Sequence, residues 1–415
     1  MQVVFLRMML SVRSIISMIW KGYLVCRRVR RKACVCLLLL ITGMIVLLTH
    51  SYRHYHLNLL FTKSFTSNDE RLKPVKGVKS IAFGTPYFGR QWPSQFTDVR
   101  YCTGAKKCTV TSDIDAADAV VFYHVDMYPW IWTTSMRRNP NRHKQIWVYF
   151  GLEPETREDR LASFLDGYFN WTLTYRTDSD VVIPYYKATR RTLPLGNGRV
   201  INYAKGKSRM AFMLTGHCEV YSRRLDYVKE LQTYIQADVI SGSGRCGKDL
   251  CPRWKCDDTK LGYKFYLAFE NSLCKDYITE KFWKNALIHG ALPVVMGANK
   301  GDYIKVAPPG SFIHVDDFKS PKELATYLKM LNSNDDLYNK YFEWKINYTI
   351  TKTGESLCGL CDALHNETKL KTKKVYEHFA DFWDMTKHCK DKGRQVGTNI
   401  IQKIILYFNY FFGVY

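Results

Sequence analysis

The stretch YKFYLAFENSLCKDYITEKFWKNALIHGALPVVMG, residues 263–297, decides the fold. Its first apolar run, Lys264–Phe269, predicts a buried strand, and the helical spacing of apolar residues in Tyr277–His289 predicts a helix that ends before Gly290. Leu292–Met296 is a second apolar run of strand length. A strand, a helix and a strand in this order predict a β-α-β unit of a parallel sheet, with a right-handed crossover.

Polar residues at the carboxyl end of the first predicted strand indicate a ligand site. Glu270 and Asn271 follow that strand, and open α/β sheets bind ligands at this edge. Asp276 or Thr279 can cap the helix that follows, and a helix N-terminus at this edge favours a bound phosphate. Lys281, close to the first turn, is therefore expected to contact a diphosphate.

Two interpretations of the helix surface remain open on spacing alone. Tyr277, Lys281 and Asn285 recur at i, i+4 and i+8, so they form one polar stripe, which either lines a nucleotide site or faces solvent. Glu280 and Lys284 fit an ordinary i,i+4 ion pair. The stretch contains neither a G-x-G-x-x-G sequence nor a Walker A lysine loop, so spacing does not decide between the two interpretations.

The same alternation of strands and helices extends on both sides of this stretch. Further predicted strands are Ser80–Phe83, Ala119–Tyr123, Ile146–Phe150, Trp171–Tyr175, Met210–Leu214, Val239–Ser241 and Phe312–Val315; further predicted helices are Ile114–Ala119, Glu158–Leu165, Arg223–Ile235, Pro321–Leu331 and Lys371–His388. A Gly-, Lys- and Arg-rich linker, residues 187–208, divides them. The fold class is therefore α/β, with two facing Rossmann-like domains over residues 77–195 and 196–390 and a cleft between them.

Composition places these domains behind a membrane anchor. The chain has 415 residues, 46% of them apolar, and a formal net charge of +23. This apolar content excludes a disordered chain. Residues 1–32 are basic without any acid, residues 33–49 carry no charge, and residues 50–76 are polar. They predict a cytosolic tail, a single transmembrane signal-anchor and a stem, which puts the domains in the lumen. Residues 391–415 form an apolar C-terminal tail whose role stays open.

Sequons and cysteines agree with a lumenal location. Asn170, Asn347 and Asn366 stand in N-x-S/T sequons and are predicted glycosylation sites. Of the 13 cysteines, ten follow the predicted anchor, and an even number is expected to form disulfides in an oxidising compartment. Cys358 and Cys361, spaced C-x-x-C, are predicted to form a local bridge rather than a redox dithiol.

Several segments resemble the α1,3-fucosyltransferase family, in the same order along the chain. The most specific are FYLAFENS, DYITEKFWKNAL and GALPVVMG, which all lie within residues 265–297. Others are Trp147–Pro154 (WVYFGLEP), Leu173–Asp180 (LTYRTDSD), Ser222–Val228 (SRRLDYV) and Pro308–Asp317 (PPGSFIHVDD). The resemblance implies a Golgi type II membrane enzyme of the double-Rossmann GT-B fold. It also implies inverting transfer of L-fucose from GDP-β-L-fucose to the 3-hydroxyl of N-acetylglucosamine in glycoprotein or glycolipid glycans.

The resemblance and the chemistry together suggest roles for individual residues. Glu153, after the strand Ile146–Phe150, is the expected base that takes the proton of the acceptor hydroxyl, and Glu155 is a competing candidate. His124 and Asp126 end another strand and are expected near the acceptor. Cations stabilise a departing diphosphate. The expected donor-binding residues are Lys281, Arg223, Arg224, Glu270, Asn271, Tyr277, Thr279, Asn285 and Arg176.

The tripeptide Asp178-Ser179-Asp180 raises the question of a metal. A D-x-D sequence holds Mn²⁺ in many sugar-nucleotide enzymes, so a metal-dependent transferase using another sugar nucleotide is the alternative function. The family's YR-x-DSD pattern accounts for these acids without a metal. We therefore expect no metal site and no required cofactor, with a divalent cation at most stimulating transfer.

Partners follow from the charge distribution and from the resemblance. The positive charge is dispersed outside residues 1–32 and no groove-reading motif accompanies it, so a nucleic-acid partner is not expected. The expected partners are GDP-fucose and an N-acetylglucosamine-containing glycan. The choice of acceptor glycan, α1,3 against α1,4 linkage, disulfide connectivity and homodimer formation stay open.

Overall fold

The structure is a computed structural model that describes residues 77–99, 102, 107–127, 142–157, 165–195, 201–241, 246–247, 262–353, 357–372 and 374–390. These residues belong to one compact unit, Lys76–Tyr415. Within the described ranges, no helix has both the length and the apolar content needed to span a bilayer. The predicted tail, anchor, stem and C-terminal tail lie outside the described residues, as does nearly all of the predicted helix Glu158–Leu165.

A six-stranded parallel sheet forms the first half of the unit, in the order β2-β1-β3-β4-β5-β6. Its strands are β1 Val78–Phe83, β2 Lys107–Val110, β3 Ala119–Tyr123, β4 Ile146–Gly151, β5 Trp171–Thr174 and β6 Val181–Val182. Along β3, Val121 and Tyr123 pack into an apolar cluster on one face, whereas Val120 and Phe122 pack into a cluster on the other. Both faces are buried, which explains why the strands are continuous apolar runs.

A five-stranded parallel sheet forms the second half, in the order β12-β11-β10-β8-β9. Its strands are β8 Arg209–Leu214, β9 Ala237–Ile240, β10 Tyr263–Phe269, β11 Leu292–Met296 and β12 Ile313–His314. The predicted β-α-β unit is confirmed, because β10 pairs in parallel with β11 from Phe265↔Leu292 to Phe269↔Met296. Two separate parallel sheets confirm the α/β class.

The helix between β10 and β11 differs from its prediction. It begins at Glu280, three residues after Tyr277, and after one α-helical turn (Glu280–Phe282) it continues as a π-helix over Trp283–Ile288. Hydrogen bonds of i→i−5 spacing mark this segment, and Ala291 N donates to Ala286 O at 3.1 Å. Because Tyr277 precedes the helix and the π-helix changes the register, the predicted i, i+4, i+8 stripe is wrong.

Strands and helices that are distant in sequence complete the unit. The strand β7 Tyr186–Arg190 pairs antiparallel with β13 Tyr348–Lys352, so residues 187–190 of the predicted linker are a strand. Leu360 packs into the apolar cluster on one face of the first sheet, and Phe379 packs into the cluster on the other face. The residues from 357 onward therefore cover the first sheet, although the sequence placed them in the C-terminal domain.

Two predicted helices are wrong. Residues 114–119 form a turn that leads into β3, where Asp113 Oδ1 accepts a hydrogen bond from Ala116 N at 3.1 Å. Lys371–His388 is divided into short helices because aromatic residues on it turn toward the sheet. The described α-helices besides Glu280–Phe282 are Ser94–Thr97, Arg224–Leu231, Lys300–Val306, Pro321–Ser333, Asp335–Lys340, Trp344–Asn347, Cys358–Leu364, Glu367–Lys371, Phe379–Phe382 and Met385–His388. Short 3₁₀ turns are His124–Asp126, Arg142–Lys144, Glu155–Arg157 and Val315–Asp317.

The disulfides correct the prediction of a local Cys358–Cys361 bridge. Bridges between described cysteines are Cys102–Cys358, Cys108–Cys361, Cys218–Cys246 and Cys274–Cys389. The C-x-x-C pair lies in the helix Cys358–Leu364 and is split between two partners more than 250 residues earlier, with separations of 256 and 253 residues. The two bridges tie this helix to the edge of the first sheet near β2.

Burial separates the three predicted glycosylation sites. Asn170 is only 6% exposed, its Oδ1 accepts from Trp147 N at 2.9 Å and its Nδ2 donates to Lys374 O at 3.0 Å. The folded chain therefore offers no free amide at Asn170, and that prediction is wrong for the folded state. Asn347 and Asn366 are exposed, so they remain predicted sites.

Candidate active site

The order of strands in the second sheet locates a crevice. The chain runs from β8 outward to β9, and then from β10 outward through β11 to β12, so its direction reverses between β8 and β10. Ligands of open α/β sheets bind at this switch point, outside the carboxyl ends of the strands. The loops that leave β8 and β10 carry His217 and Asn271 respectively.

Arg224 spans this switch point. It is 2% exposed, and its guanidinium donates to Phe269 O at the end of β10 (2.8 Å) and to Thr215 Oγ1 beyond β8 (2.7 Å). Its Nε is buried and has no partner among the described residues. Burial lowers the pKa of Arg224. Arg223, in contrast, is exposed and pairs with Asp226 at 2.6 Å, so only Arg224 of these two predicted cations lies in the crevice.

Lys281 lies beside the same crevice at the start of the helix after β10. Its Nζ donates to Glu270 Oε2 (2.9 Å) and Thr279 Oγ1 (3.0 Å), and Glu280 Oε1 is 3.4 Å away. Burial lowers the pKa of Lys281, but the carboxylates of Glu270 and Glu280 outweigh it, so the net direction is upward and the ammonium stays charged. Glu280 thus pairs with Lys281 and not, as its spacing suggested, with Lys284.

Glu270 holds this lysine in place. The residue is fully buried, and both of its carboxylate oxygens accept hydrogen bonds from Thr279 Oγ1 at 2.9 Å. Thr279 N donates to Oε1 at 2.9 Å. Burial raises the pKa of Glu270, and the Lys281 ammonium opposes that rise. The partners of Glu270 within the chain are therefore Thr279 and Lys281.

The other predicted donor-binding residues of this region lie nearby. The ring of Tyr277 is 2% exposed and packs 5.1 Å from Tyr175 of the first half of the unit. Asn271 Oδ1 is buried with no partner among the described residues. Asn285 Nδ2 donates to Tyr266 OH at 3.4 Å.

Glu153 of the first half shares an electrostatic environment with Lys281. It follows β4, its side chain is 24% exposed, and its ion pair with Arg157 Nε is long, at 3.8 Å. Burial and the positive charges of Arg157, Arg224 and Lys281 lower the pKa of His217. The negative charge of Glu153 opposes this lowering. The charges of Glu153, from the first half, and of Lys281, from the second, therefore both act on the imidazole of His217.

Glu155 and Arg176 form a buried pair instead of lining the crevice. Their side chains are 0% and 1% exposed, and Arg176 Nη1 lies 3.1 Å from Glu155 Oε1. Tyr175 OH donates to Glu155 Oε2 at 2.9 Å, and Arg176 donates to both carboxylate oxygens of Asp178 at 2.9 and 2.7 Å. Burial raises the pKa of Glu155, and Arg176 opposes this. Because its nitrogens are engaged by acids and by Phe382 O, Arg176 does not join the candidate donor site.

The two residues predicted near the acceptor serve the packing of the first half. His124 is fully buried, and its ring lies edge-on to Tyr123 and Trp383, with ring centroids 5.3 and 5.9 Å away. Asp126 is 8% exposed, and its carboxylate accepts from Gly89 N at 3.1 Å. Burial raises the pKa of Asp126, which the backbone hydrogen bonds lower.

The D-x-D acids are occupied by groups of the chain itself. Asp178 binds Arg176 and also Lys275 Nζ (2.9 Å), and Asp180 accepts from Tyr376 OH (2.8 Å) and pairs with Lys374. Two described groups of His, Cys and acidic residues are close enough together for a metal, Cys108/Cys361/His365 and Glu155/Cys274/Cys389. In both groups the cysteines form disulfides, so neither group offers a thiolate.

Two family models match the chain, one over each of the two sheets. The family model "Fucosyltransferase, N-terminal" matches residues 79–186, and "Glycosyltransferase family 10 (fucosyltransferase) C-term" matches residues 204–382. The chain belongs to this fucosyltransferase family. The two matches cover the two sheets in turn, so the family assignment rests on both halves of the unit.

Curated relatives support the family assignment. The chain is 40% identical over 288 residues to glycoprotein 3-alpha-L-fucosyltransferase A of Drosophila melanogaster, over 66% of this chain and 54% of that protein. It is 36% identical to 4-galactosyl-N-acetylglucosaminide 3-alpha-L-fucosyltransferase FUT6 of Pan troglodytes, over 66% of this chain and 76% of that protein. It is 37% identical to 3-galactosyl-N-acetylglucosaminide 4-alpha-L-fucosyltransferase FUT3 of the same species, over 65% and 72%. The chain thus spans about half the length of the fly relative and about three quarters of the other two.

Sequence reasoning missed two residues of the crevice. Glu280 was assigned to Lys284 because an α-helix was assumed, and only its position next to Lys281 could have indicated the observed pair. His217 carries no motif, but the switch-point rule, applied to the end of β8 as well as β10, would have indicated its loop.

Proposed function

We propose that this family member transfers L-fucose from GDP-β-L-fucose to the 3-hydroxyl of an N-acetylglucosamine residue in a glycan, with inversion. The proposal is supported by two cations at the switch point of the second sheet, Lys281 and Arg224, and by Glu153, a partly exposed carboxylate that follows β4 of the first sheet. A direct displacement needs a base for the acceptor hydroxyl and stabilisation of the leaving diphosphate. The two halves supply one of these each.

On the donor side, Lys281 is proposed to bind the diphosphate of GDP-fucose. Glu270 and Thr279 fix the position of its ammonium, while the third partner, Glu280, is 45% exposed and makes the longest contact, at 3.4 Å. An arriving diphosphate can replace Glu280 at least cost in buried hydrogen bonds. Arg224 lies below, with a buried Nε that lacks a partner in the described structure. As charge develops on the leaving group, these fixed cations stabilise it.

On the acceptor side, Glu153 is proposed as the base. Its carboxylate is partly exposed and its ion pair with Arg157 is long, so it can accept a proton from a hydroxyl group of the acceptor. Glu155 is unsuited to this role, because its carboxylate is buried and engaged by Arg176 and Tyr175. We assign the acceptor to the half built on the first sheet and the donor to the half built on the second.

The location in the cell is a further part of the proposal and is supported by the sequence. The basic residues 1–32 and the uncharged residues 33–49 favour a type II Golgi membrane protein with a lumenal catalytic unit. The relatives named above include both 3- and 4-alpha-fucosyltransferases, and the family resemblance of this chain favours the 3-linkage.

Incubation of the full-length protein with GDP-fucose and defined glycans tests the proposal, with the linkage determined by NMR. We expect an α1,3-linked fucose on N-acetylglucosamine, formed also in the presence of a chelator; absence of transfer from GDP-fucose would refute the proposal. Glu153→Gln should lower turnover by about 10²–10⁴-fold with donor KM unchanged, as loss of a general base does. Glu343→Gln, an exposed acid on another surface, is the matched control. Near-normal turnover of Glu153→Gln would remove the base assignment.

Lys281→Ala tests the donor side separately. We expect a raised KM for GDP-fucose together with slower transfer, because the variant loses the fixed cation beside the diphosphate. Lys300→Ala, which removes an exposed lysine paired with Asp317, is the control. An unaltered donor affinity in Lys281→Ala would contradict the proposed role.

A further inference from the structure

A tight turn in the first half breaks a local conformational rule. Tyr87 and Arg90 are paired by two backbone hydrogen bonds, of 2.9 and 3.1 Å, and the two residues between them both have positive φ, 51° for Phe88 and 67° for Gly89. Positive φ at both central positions is the pattern of a type I′ turn, which favours Asn, Asp or Gly there. A phenylalanine at the first of these positions is a conformational outlier.

A buried carboxylate holds this turn in its strained conformation. Asp126 accepts a hydrogen bond from Gly89 N at 3.1 Å and a further one from the backbone of Phe88. The acid is 8% exposed, so the turn is anchored from below. Strained residues persist where the surroundings determine them, and they are frequent at ligand sites.

The consequence of this geometry is an exposed aromatic ring. Phe88 is 41% exposed, although six other aromatic residues around it form a packed cluster. Its ring lies edge-on to Tyr123 and Tyr87, with both centroid distances at 5.0 Å. The ring is therefore fixed from two sides and open on the remaining side.

The ring stands close to the proposed base. Tyr123 ends β3 and pairs in register with Phe150 of β4, the strand that Glu153 follows, so all of these residues lie at one edge of the sheet. The Tyr123 hydroxyl is buried without a partner in the described ranges. Its pKa is raised by burial first and by the Glu153 charge next. Tyr123 thus contacts the ring of Phe88 and is also affected by the charge of Glu153.

We propose that Phe88 is a stacking platform for a sugar ring of the acceptor glycan, and that Asp126 is the positioning residue that fixes it. This inference rests on the proposed function, because it takes the hydroxyl donor at Glu153 to be a carbohydrate. A pyranose ring presents C–H groups on one face, and these pack on an aromatic face while its hydroxyl groups stay hydrated. The sequence predicts that Asp126 lies near the acceptor. In this proposal Asp126 acts on the acceptor only indirectly, by fixing Phe88.

Kinetics of full-length variants with GDP-fucose and a defined acceptor glycan test the platform. We expect Phe88→Ala to raise the acceptor KM roughly five- to tenfold, in line with the strength of aromatic contacts. Its KM for GDP-fucose and its rate of acceptor-free GDP-fucose hydrolysis should stay within about twofold. Phe88→Tyr, which keeps the ring, should resemble the unaltered protein. Val182→Ala, at an equally exposed apolar residue on β6, is the matched control.

Two further variants separate the platform from a structural role. Phe88→Gly removes the ring but suits a positive φ, so its unfolding midpoint should stay near that of the unaltered protein while its acceptor KM rises. Asp126→Asn, which keeps the ring but weakens its anchor, should also raise the acceptor KM. An unchanged acceptor KM in Phe88→Ala or Phe88→Gly, with transfer from GDP-fucose intact, would overturn the platform alone. Absence of transfer in the unaltered protein would instead overturn the proposed function.

Discussion

Removal of Arg176 should destabilise the unit strongly, because it leaves a buried carboxylate without its cation. Glu155 and Arg176 are 3.1 Å apart and at most 1% exposed, with Tyr175 as the other hydrogen-bond donor to Glu155. Breaking a buried pair by removing one partner costs about 3–5 kcal/mol. We therefore expect Arg176→Met to lower the free energy of unfolding by about that amount. The half-exposed pair Lys79–Asp118, 2.9 Å apart, is the control, and Lys79→Met should cost at most about 1 kcal/mol.

A double-mutant cycle on the full-length protein measures the interaction itself. Urea unfolding, followed by tryptophan fluorescence, gives the midpoints of Arg176→Met, Glu155→Leu and the double variant. Replacing both partners by apolar residues removes the unpaired charge, so the double variant should be more stable than either single variant. The reasoning would be refuted if each single variant lost less than about 1 kcal/mol in the free energy of unfolding and the two losses added up in the double variant, because a surface pair behaves in that way.

Three other expectations concern separate parts of the chain. In full-length protein purified from cells that carry out N-glycosylation, peptide mapping should find glycan on Asn366 and none on Asn170, whose side-chain amide is engaged; glycan at Asn170 would contradict its burial in the folded state. Burial, with Lys345 and Lys264 adding to it, lowers the pKa of Lys207 from 10.5 to about 8. Between these values the unfolded chain binds one more proton, so stability should rise from pH 8 to 10.5, and Lys207→Met should flatten that rise in pH-dependent unfolding. In peptide mapping without reduction, Cys358 should be disulfide-linked to the peptide that contains Cys102, and Cys361 to the peptide that contains Cys108. A disulfide between Cys358 and Cys361 would contradict the fold.

The elements that could be predicted from the sequence are the strands whose own residues show that they are buried. Predicted and observed bounds coincide for β3 and β11, which are apolar and buried on both faces. The position of the ligand site was equally predictable from the sequence, because ligands bind at the carboxyl ends of the strands of a parallel sheet. Lys281 and Glu153 were therefore predicted from position and resemblance, and both follow strands at the edges where the sequence placed them.

Other features depend on contacts that no local pattern contains. The π-helix Trp283–Ile288 arises from a change of one residue in hydrogen-bond spacing, which apolar periodicity over six residues does not resolve. Arg176 was expected at the donor because a cation near a cleft is indistinguishable in sequence from one buried against Glu155. The strand β7 was missed because it pairs with the distant strand β13, and β6 was missed because it is only two residues long.

The two bridges of the helix Cys358–Leu364 impose an order on biosynthesis. Cys102 and Cys108 leave the ribosome at least 253 residues before their partners, which at about 5–20 residues per second amounts to roughly 10–50 s of synthesis. During that interval both thiols have to stay reduced or be held in exchangeable pairings, so correct maturation calls for a disulfide isomerase. A premature stop codon anywhere before Cys358 would leave both thiols without their native partners and mark the product for degradation.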